Sequence, residues 1–282
     1  MANSSVSSAE RCLAILELLV DHAGGLQVSA IAQQLSLPLS ATHRLLQTLV
    51  NTHYVKQAAM SDRYFPTLKM SALGLRLLAD LNVTEIAQPI LDDLARETGE
   101  LVRLAVVEDA DMTWMAKAQG ATVGIRCDPI SGRNVPLHTT AMGKAWLAVM
   151  PEQEAIDKVV TRGFDCEPVG PKAINTVTRL KKEIRLTRQR GFGLNEQESE
   201  LGLSAIAMLI KDRLNPAIVV GAVSIAGPSF RTDRERLVSF VEPLRAAIEQ
   251  LEQLWPARAH AAANASPLRA SATRKLRPTL SA

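Results

Sequence analysis

Apolar residues recur every three to four positions across residues 28–47, on both sides of a single proline. Before the proline, Ile31 and Leu35 fall on one face of a short helix. Pro38 ends that pattern, because proline cannot sit in a helix interior and restricts the residue before it. After it, Ser40 can cap a second helix. The pattern predicts two short helices joined by a tight turn, which is the form of a helix-turn-helix.

The second of these helices is expected to be amphipathic, with an apolar side made of Thr42, Leu45, Leu46 and Leu49. Its exposed N-terminal end carries side chains that can reach base edges and phosphates in a major groove, namely Ser40, Ala41, His43, Arg44 and Gln47. Two short helices around a proline turn also occur as an αα-hairpin in helical cores. The segment alone therefore allows both interpretations.

The flanking segments favour DNA binding. Residues 8–22 are apolar at helical spacing and predict a supporting helix. Residues 54–56 and 63–65 predict two short strands joined by a polar turn. Three helices followed by a hairpin describe a winged helix, in which Lys56 and Arg63 would lie on the wing beside the DNA backbone.

The rest of the chain mixes helical and strand patterns. A predicted helix over residues 68–81 is apolar on more than one face, so it can connect two domains and pack against a partner subunit. Further helices are predicted over residues 85–98, 141–149, 152–161, 177–190 and 233–254, and strands over residues 101–107, 112–116, 123–127, 192–194, 204–210 and 218–226. Strands grouped around a helical section predict an α+β domain with a curved antiparallel sheet flanked by helices.

The positive charge of the chain resides largely in its last segment. Residues 256–282 hold five arginines and lysines and no acid, so without them the formal net charge changes from +3 to −2. Their composition lacks the residues of a core, and we expect a disordered basic tail that either adds non-specific attraction to DNA or is inert. Within residues 36–69 a small basic excess predicts weak DNA affinity per subunit, and hence an oligomer.

Several classes of protein are disfavoured. No apolar run is long enough to span a bilayer and the first residues show no secretory pattern, so we expect a cytoplasmic protein without a membrane partner. The three cysteines (Cys12, Cys127 and Cys166) lack paired spacing, and we expect no disulfide, metal or other cofactor.

Catalysis is also disfavoured. His138, Lys144 and the glutamates of residues 196–200 could be imagined as a catalytic set, but no nucleophile elbow or phosphate-binding loop accompanies them. A solvated acidic loop explains the glutamates more simply, and we predict that the chain is not an enzyme.

Four segments resemble the IclR family of bacterial transcription regulators. In chain order they read LSLPLSATHRLLQTLV (residues 35–50), GRNVPLHTTAMGKAWLA (132–148), RGFGLNEQESELGLSAIAMLI (190–210) and GAVSIAGP (221–228). The resemblance implies a regulator, dimeric or a dimer of dimers, that binds a double-stranded DNA operator. It also implies that a small organic or aromatic acid effector modulates this binding. The expected parts are a winged helix-turn-helix DNA-binding domain (1–67), a linker helix (68–83), an effector-binding and oligomerisation domain (84–255) and the tail (256–282).

The expected effector site centres on a loop-to-helix junction at residues 138–144. Free N–H groups at a helix start favour a small anion such as a carboxylate, and Gly143 permits a close approach. With the positions that the resemblance implies, the effector-binding residues are Val135, His138, Thr140, Ala141, Met142, Gly143, Asn195, Ser204, Ala205, Ser224 and Ala226. Alternatively, His138 only holds a loop and Lys144 is solvated on its helix. Ser224 needs a partner if it faces the sheet interior.

Two departures from the family pattern limit what the resemblance implies. Leu39 stands where a basic residue often follows the proline, which removes one phosphate contact. Thr139 and Ala205 stand where cysteine is common, so we expect no pocket chemistry that depends on a thiol. An architectural DNA binder without a ligand is a weaker alternative, because a second domain of roughly 170 residues is more than dimerisation needs.

Overall fold

The computed structural model describes residues 8–127, 131–164 and 170–255. The chain divides into two compact units, and the division falls between Asp80 and Leu81 in the sequence. The predicted basic tail and Cys166 lie outside the described residues. The predicted boundaries at residues 67 and 83 stay a prediction.

The first unit is a winged helix. Its elements are α1 (Ser8–Val20), β1 (Leu26–Gln27), α2 (Val28–Gln34), α3 (Leu39–Asn51), β2 (Val55–Gln57), β3 (Arg63–Pro66) and α4 (Leu68–Leu81). The strands form an antiparallel sheet in the order β1-β3-β2, in which β1 was not predicted. Apolar side chains of the first three helices and the hairpin pack into one core, which includes Ile15, Ile31, Leu46 and Tyr64.

The cap of α3 differs from the prediction. The helix begins at Leu39, directly after Pro38, and Ser40 lies inside its first turn. Pro38 has a φ of −60° and its missing N–H is not needed there, so the proline itself sets the start of the helix. The prediction that Ser40 caps the helix was wrong.

Helix α4 has the predicted bounds but buries no residue in the described chain. Leu68, Leu75 and Leu77 are 83%, 66% and 61% exposed. Burying a leucine side chain is worth about 1.5–3 kcal/mol. The helix therefore exposes apolar surface that a partner could cover.

The second unit is a five-stranded antiparallel sheet with helices on both faces. Its elements are α5 (Val83–Thr98), β4 (Leu101–Glu108), β5 (Asp111–Gln119), α6 (Ala141–Val149), α7 (Glu152–Arg162), α8 (Val177–Arg190), β6 (Gly193–Glu196), β7 (Leu203–Lys211), β8 (Val219–Pro228), α9 (Arg234–Ser239) and α10 (Val241–Leu254). The strand order is β5-β4-β8-β7-β6. One core joins α5 and α10 to one face, and a second joins α6, α7 and α8 to the other. The predicted α+β class with a helix-flanked antiparallel sheet is confirmed.

Two predicted elements were wrong. Residues 123–127 form no strand, because Gly124 takes a left-handed φ of +79° that ends an extended run. The closing helix is interrupted at Phe240, between α9 and α10. Pro243 cannot donate to the carbonyl four residues earlier and its ring clashes with that group, so the helix cannot be continuous there.

Candidate functional site

The exposed end of α3 presents the predicted DNA-contacting side chains together. Ser40, His43, Arg44 and Gln47 are exposed, and Ala41 is half-buried. The buried side of α3 holds Thr42, Leu46 and Leu49, which anchor the helix to the core. Gln47 Nε2 donates to Asn51 Oδ1 at 3.0 Å, so its amide already has a partner on the same helix.

The two wing cations have different surroundings. Lys56 is exposed on β2. Arg63 Nη1 donates to the carbonyl oxygens of Gly25 at 2.9 Å and Gly24 at 3.3 Å. Arg63 thereby ties the hairpin to the turn before β1. Lys56 is the freer of the two to meet a phosphate.

A cavity of about 530 Å³ lies in the second unit, over the sheet face that carries small side chains. Two rows of residues, each running across four strands, form the floor of the cavity. Leu101, Ala226, Ala205 and Asn195 lie side by side across β4, β8, β7 and β6, and Arg103, Ser224, Ala207 and Gly193 form the next row. Alanine and serine leave this space unfilled, because they extend little from the strands.

Helix α6 starts at the edge of this cavity. Thr140 is its N-cap, and the Thr140 hydroxyl accepts a hydrogen bond from the Gly143 N–H at 3.0 Å. The N–H groups of Ala141 and Met142 are in the first turn, where no intrahelical acceptor exists. They are therefore the groups best placed to bind an anion, whereas the N–H of Gly143 is already used.

Two glycines allow α6 to lie this close to its neighbours. A Cβ on Gly193 would stand 1.9 Å from the Ala141 carbonyl oxygen. A Cβ on Gly143 would stand 2.4 Å from the Cα of Leu137. Gly143 thus serves packing against the preceding loop, and Gly193 brings the start of α6 down onto β6.

The structure brings seven of the expected effector residues to the cavity: Thr140, Ala141, Met142, Asn195, Ala205, Ser224 and Ala226. The other four, Val135, His138, Gly143 and Ser204, are not among its lining residues. Val135 is part of the core beneath α6. His138 Nε2 lies 3.3 Å from the carbonyl oxygen of Phe164, and burial lowers the pKa of its imidazole. This contact is consistent with the alternative interpretation that His138 holds a loop.

Several lining residues were missed by the sequence analysis. Arg103 is half-buried, with its guanidinium carbon 3.6 Å from the centroid of the Trp114 ring. Burial lowers the pKa of Arg103 to about 9, so it still carries its charge at neutral pH. Arg126 and Arg133 also line the cavity and are exposed. No local motif marks these arginines.

The cavity also contains a thiol at a position that the sequence analysis did not assign to it. Cys127 lines it, half-buried. Burial raises the pKa of the Cys127 thiol. The side chain is thus a protonated, weakly polar group at neutral pH rather than a reactive thiolate.

A buried ion-pair cluster adjoins the cavity wall. Lys144 Nζ lies 2.6 Å from Glu198 Oε1 and 3.3 Å from Glu183 Oε1, and Arg190 Nη2 lies 2.5 Å from Glu183 Oε1. Lys144 is 1% exposed, so it is neither solvated nor directed at a ligand. The description of residues 196–200 as a solvated acidic loop was also wrong for Glu198.

The loop after β6 joins this cluster to the cavity. Asn195 Oδ1 accepts from the Glu198 N–H at 2.9 Å, and Asn195 Nδ2 donates to Ser199 Oγ at 2.5 Å. Asn195 and Ser199 both line the cavity. Lys144 therefore fixes one wall of the cavity through Glu198.

The described residues contain no helix long and apolar enough to cross a membrane. Across the same ranges, no group of three or more His, Cys, Asp and Glu side chains is arranged to hold a metal ion.

Two family models match the chain. The model described as IclR helix-turn-helix domain matches residues 8–59, and the one described as Bacterial transcriptional regulator IclR C-terminal matches residues 75–253. The Transcriptional repressor IclR of Escherichia coli (strain K12) is 30% identical over 240 residues, which cover 85% of this chain and 86% of that protein.

Solved structures show the same fold. A transcriptional regulator from Rhodococcus sp. RHA1 is 27% identical with a TM-score of 0.70, and the match covers 88% of this chain and 97% of that one. An IclR homolog from Microbacterium hydrocarbonoxydans, complexed with 4-hydroxybenzoate, is 22% identical with a TM-score of 0.69. That match covers 88% of this chain and 98% of that one.

Proposed function

Since the chain belongs to the IclR family of bacterial transcription regulators, we propose that it binds a DNA operator through α3 and the wing. When a small carboxylic acid enters the cavity, the affinity of the protein for the operator falls or rises. The observation that carries the effector part is the cavity of about 530 Å³, which is lined by the start of α6 and by Arg103. Its volume is in the range of small-molecule sites. Because the DNA would be chromosomal, the proposal also places the protein in the cytoplasm.

The DNA part of the proposal rests on the exposed end of α3. Arg44 and His43 are exposed there, one helical turn from the N-terminus that would enter a major groove. Lys56 adds a phosphate contact from the wing. Few other cations accompany them, so we propose that at least two copies bind one operator and that the exposed leucines of α4 contribute to their association.

The effector part rests on an anion-binding arrangement. The N–H groups of Ala141 and Met142 carry the partial positive charge of a helix start, and Ser224 Oγ offers a further hydrogen bond from the floor. The homolog from Microbacterium hydrocarbonoxydans, whose ligand is an aromatic acid, supports the ligand class. The proteins that the chain resembles are transcription regulators, which supports a binding role rather than catalysis.

Coupling between ligand and DNA needs only that the acid bind one arrangement of the protein better than the other. A coupling of about 1–3 kcal/mol is typical of allosteric proteins, and it corresponds to a change of about 5- to 150-fold in operator affinity. The same factor must appear in the acid affinity when operator is present, because coupling of binding equilibria is reciprocal.

The test uses the full chain and an operator selected by the wild-type protein from random DNA. Arg44→Ala should weaken operator binding by about 1–3 kcal/mol per half-site, whereas Arg213→Ala, an exposed arginine of the second unit, should not. Ser224→Val should weaken binding of the acids that stabilise the wild type in a thermal-shift screen and leave ligand-free operator binding intact. Thr178→Val, on the exposed face of α8, is its control. A folded Arg44→Ala protein with wild-type affinity removes Arg44 from the interface, and a broad acid panel without any hit contradicts the carboxylate effector.

A further inference from the structure

The tip of the wing carries an apolar side chain at its centre. Residues 58–62 connect β2 to β3. This turn is closed by its own backbone, because the Ala58 N–H donates to the Arg63 carbonyl oxygen at 2.9 Å and the Asp62 N–H donates to the Ala58 carbonyl oxygen at 3.2 Å. Met60 lies in the middle of the turn, and no other large apolar side chain of the described residues is as exposed. Single exposed apolar residues are common, so it is the position of Met60 on the wing that gives its exposure a meaning.

The tip offers little to a DNA phosphate. Asp62 is the one charged residue among residues 58–62, and it is acidic. Of the two wing cations, Arg63 donates to carbonyl oxygens of the turn before β1, and Lys56 lies on β2, before the tip. Because phosphates repel a carboxylate, the tip is better suited to the inside of a groove, where apolar side chains can contact sugars and bases.

The wing is fixed relative to α3. Strand β3 pairs with both β1 and β2. Tyr64 on β3 and Val55 on β2 are buried in the same core as Leu46 and Leu49 of α3. The tip therefore cannot move independently of the helix, and little conformational entropy is lost when it enters a groove. With α3 in a major groove, we expect the hairpin beside it to reach the adjacent minor groove.

We propose that Met60 enters the minor groove beside the α3 site and wedges between two base pairs, so that the operator bends. This inference rests on the proposed operator binding through α3 and adds a contact that does not read base edges. Methionine is among the apolar side chains that proteins insert in this way, and such wedges kink the duplex by about 20–90°. Pyrimidine–purine steps unstack most readily, so Met60 selects for a TA, CA or TG step under each wing.

The first test measures operator bending by energy transfer between dyes on the two DNA ends, with the full chain and an operator selected by the wild type. Met60 is exposed and belongs to no core, so Met60→Ala should fold like the wild type. It should lower the bend by at least about 20° per wing, and Met60→Leu should retain most of the bend, since leucine is also an apolar wedge. Leu214→Ala, which truncates an exposed leucine of the second unit, is the control and should leave the bend unchanged.

The second test measures sequence preference. The pyrimidine–purine step under the wing is replaced by AA in an operator that is otherwise unchanged. This replacement should weaken wild-type binding about five- to thirtyfold and Met60→Ala binding by less than about twofold, because only the wedge requires the step to unstack. Selection from random DNA with Met60→Ala should recover the bases that α3 reads, without that step.

The outcomes separate this inference from operator binding itself. If the wild type does not bend its operator, or if Met60→Ala keeps the bend or the step preference, the wedge fails, and a loss of affinity in Arg44→Ala would still support binding through α3. If Met60→Ala weakens binding to all DNA equally and leaves the bend unchanged, Met60 contacts DNA without wedging and the inference fails as well. A changed oligomeric state of Met60→Ala without DNA, measured by light scattering, would assign the tip to a protein interface and overturn the inference. If the wild type selects no operator, both proposals fail.

Discussion

Replacing Lys144 by methionine should remove the cation that two partly buried carboxylates share. The Lys144 side chain is buried, and the side chains of Glu198 and Glu183 are 13% and 19% exposed. Methionine keeps most of the volume and the apolar stem, so the substitution isolates the loss of charge from the loss of packing.

The size of the stability loss depends on which cationic partner each carboxylate keeps after the substitution. Glu183 keeps Arg190, whose Nη2 lies 2.5 Å from it. Glu198 loses its cation, and its Oε2 already lacks a hydrogen-bond partner in the described chain. Removing one partner of a buried ion pair costs about 3–5 kcal/mol, because a buried charge is left uncompensated. We expect Lys144→Met to lower the free energy of unfolding by that amount.

The double variant supplies the internal check. Glu198→Gln removes the charge that Lys144→Met would leave buried, so the double variant should be more stable than Lys144→Met alone. A coupling free energy of about 1–3 kcal/mol between the two sites is expected for contacting residues. Lys182→Met, an exposed lysine of α8, should change stability by less than about 0.5 kcal/mol.

The assay can be confined to the second unit. All three tryptophans of the chain, Trp114, Trp146 and Trp255, lie there, so their fluorescence during urea unfolding reports on that unit. Linear extrapolation to zero urea gives the free energy of unfolding of each variant, provided that the dependence on urea concentration has the same slope as in the wild type. A loss below about 1 kcal/mol for Lys144→Met, or additive effects in the double variant, would refute the claim that this ion pair holds the cavity wall.

Three further predictions concern other parts of the chain. Lys56→Ala should weaken binding to every DNA sequence alike and reduce the salt slope by about one per subunit, measured by anisotropy, and an unchanged slope would place Lys56 away from the backbone. Light scattering at micromolar concentration should find at least a dimer, and Leu75→Asp on α4 should shift it towards monomer; a monomeric wild type, with and without DNA, contradicts this. Burial lowers the pKa of His138 below 6.5, so the unfolded chain binds more protons between the two pKa values, and stability should fall as pH drops below about 6.5. His138→Gln should flatten that fall in urea titrations, and an equally steep profile would assign it to other groups.

Helices with local start and stop signals could be predicted from the sequence. Helix α8 has its predicted bounds because Thr176 caps it by accepting from the Arg179 N–H and Gly191 ends it at a φ of +81°. These signals act within a few residues and need no tertiary context. Where local signals conflict, the prediction failed. The apolar periodicity of residues 233–254 favours one helix, but Pro243 divides it.

The ion-pair cluster could not be predicted in the same way. Lys144 and Glu198 are separated by 54 positions, and their contact depends on Gly193 bringing α6 onto the sheet. In the sequence, each is a charged residue within an amphipathic or acidic segment. Only the fold shows that Lys144 is buried and Glu198 partly buried, and burial changes their role from solvated charges to a structural pair.

The sequence indicates the shape of the cavity better than it indicates the charge of the cavity. Along β7, Ala205 and Ala207 alternate with Ile206, and Ser224 on β8 follows Val223. Because alternate strand residues face opposite sides, this size pattern indicates one tightly packed face and one face with spare volume.

The positive charge of Arg103 reaches the cavity from β4. Arg103 faces the cavity only because β4 pairs with β8 in this register. A one-residue shift of that pairing would place Arg103 on the opposite face, among the apolar residues packed against α5 and α10, where an arginine would be unpaired and strongly destabilising. The same apolar alternation that fixes the register of β4 therefore also fixes Arg103 in the cavity.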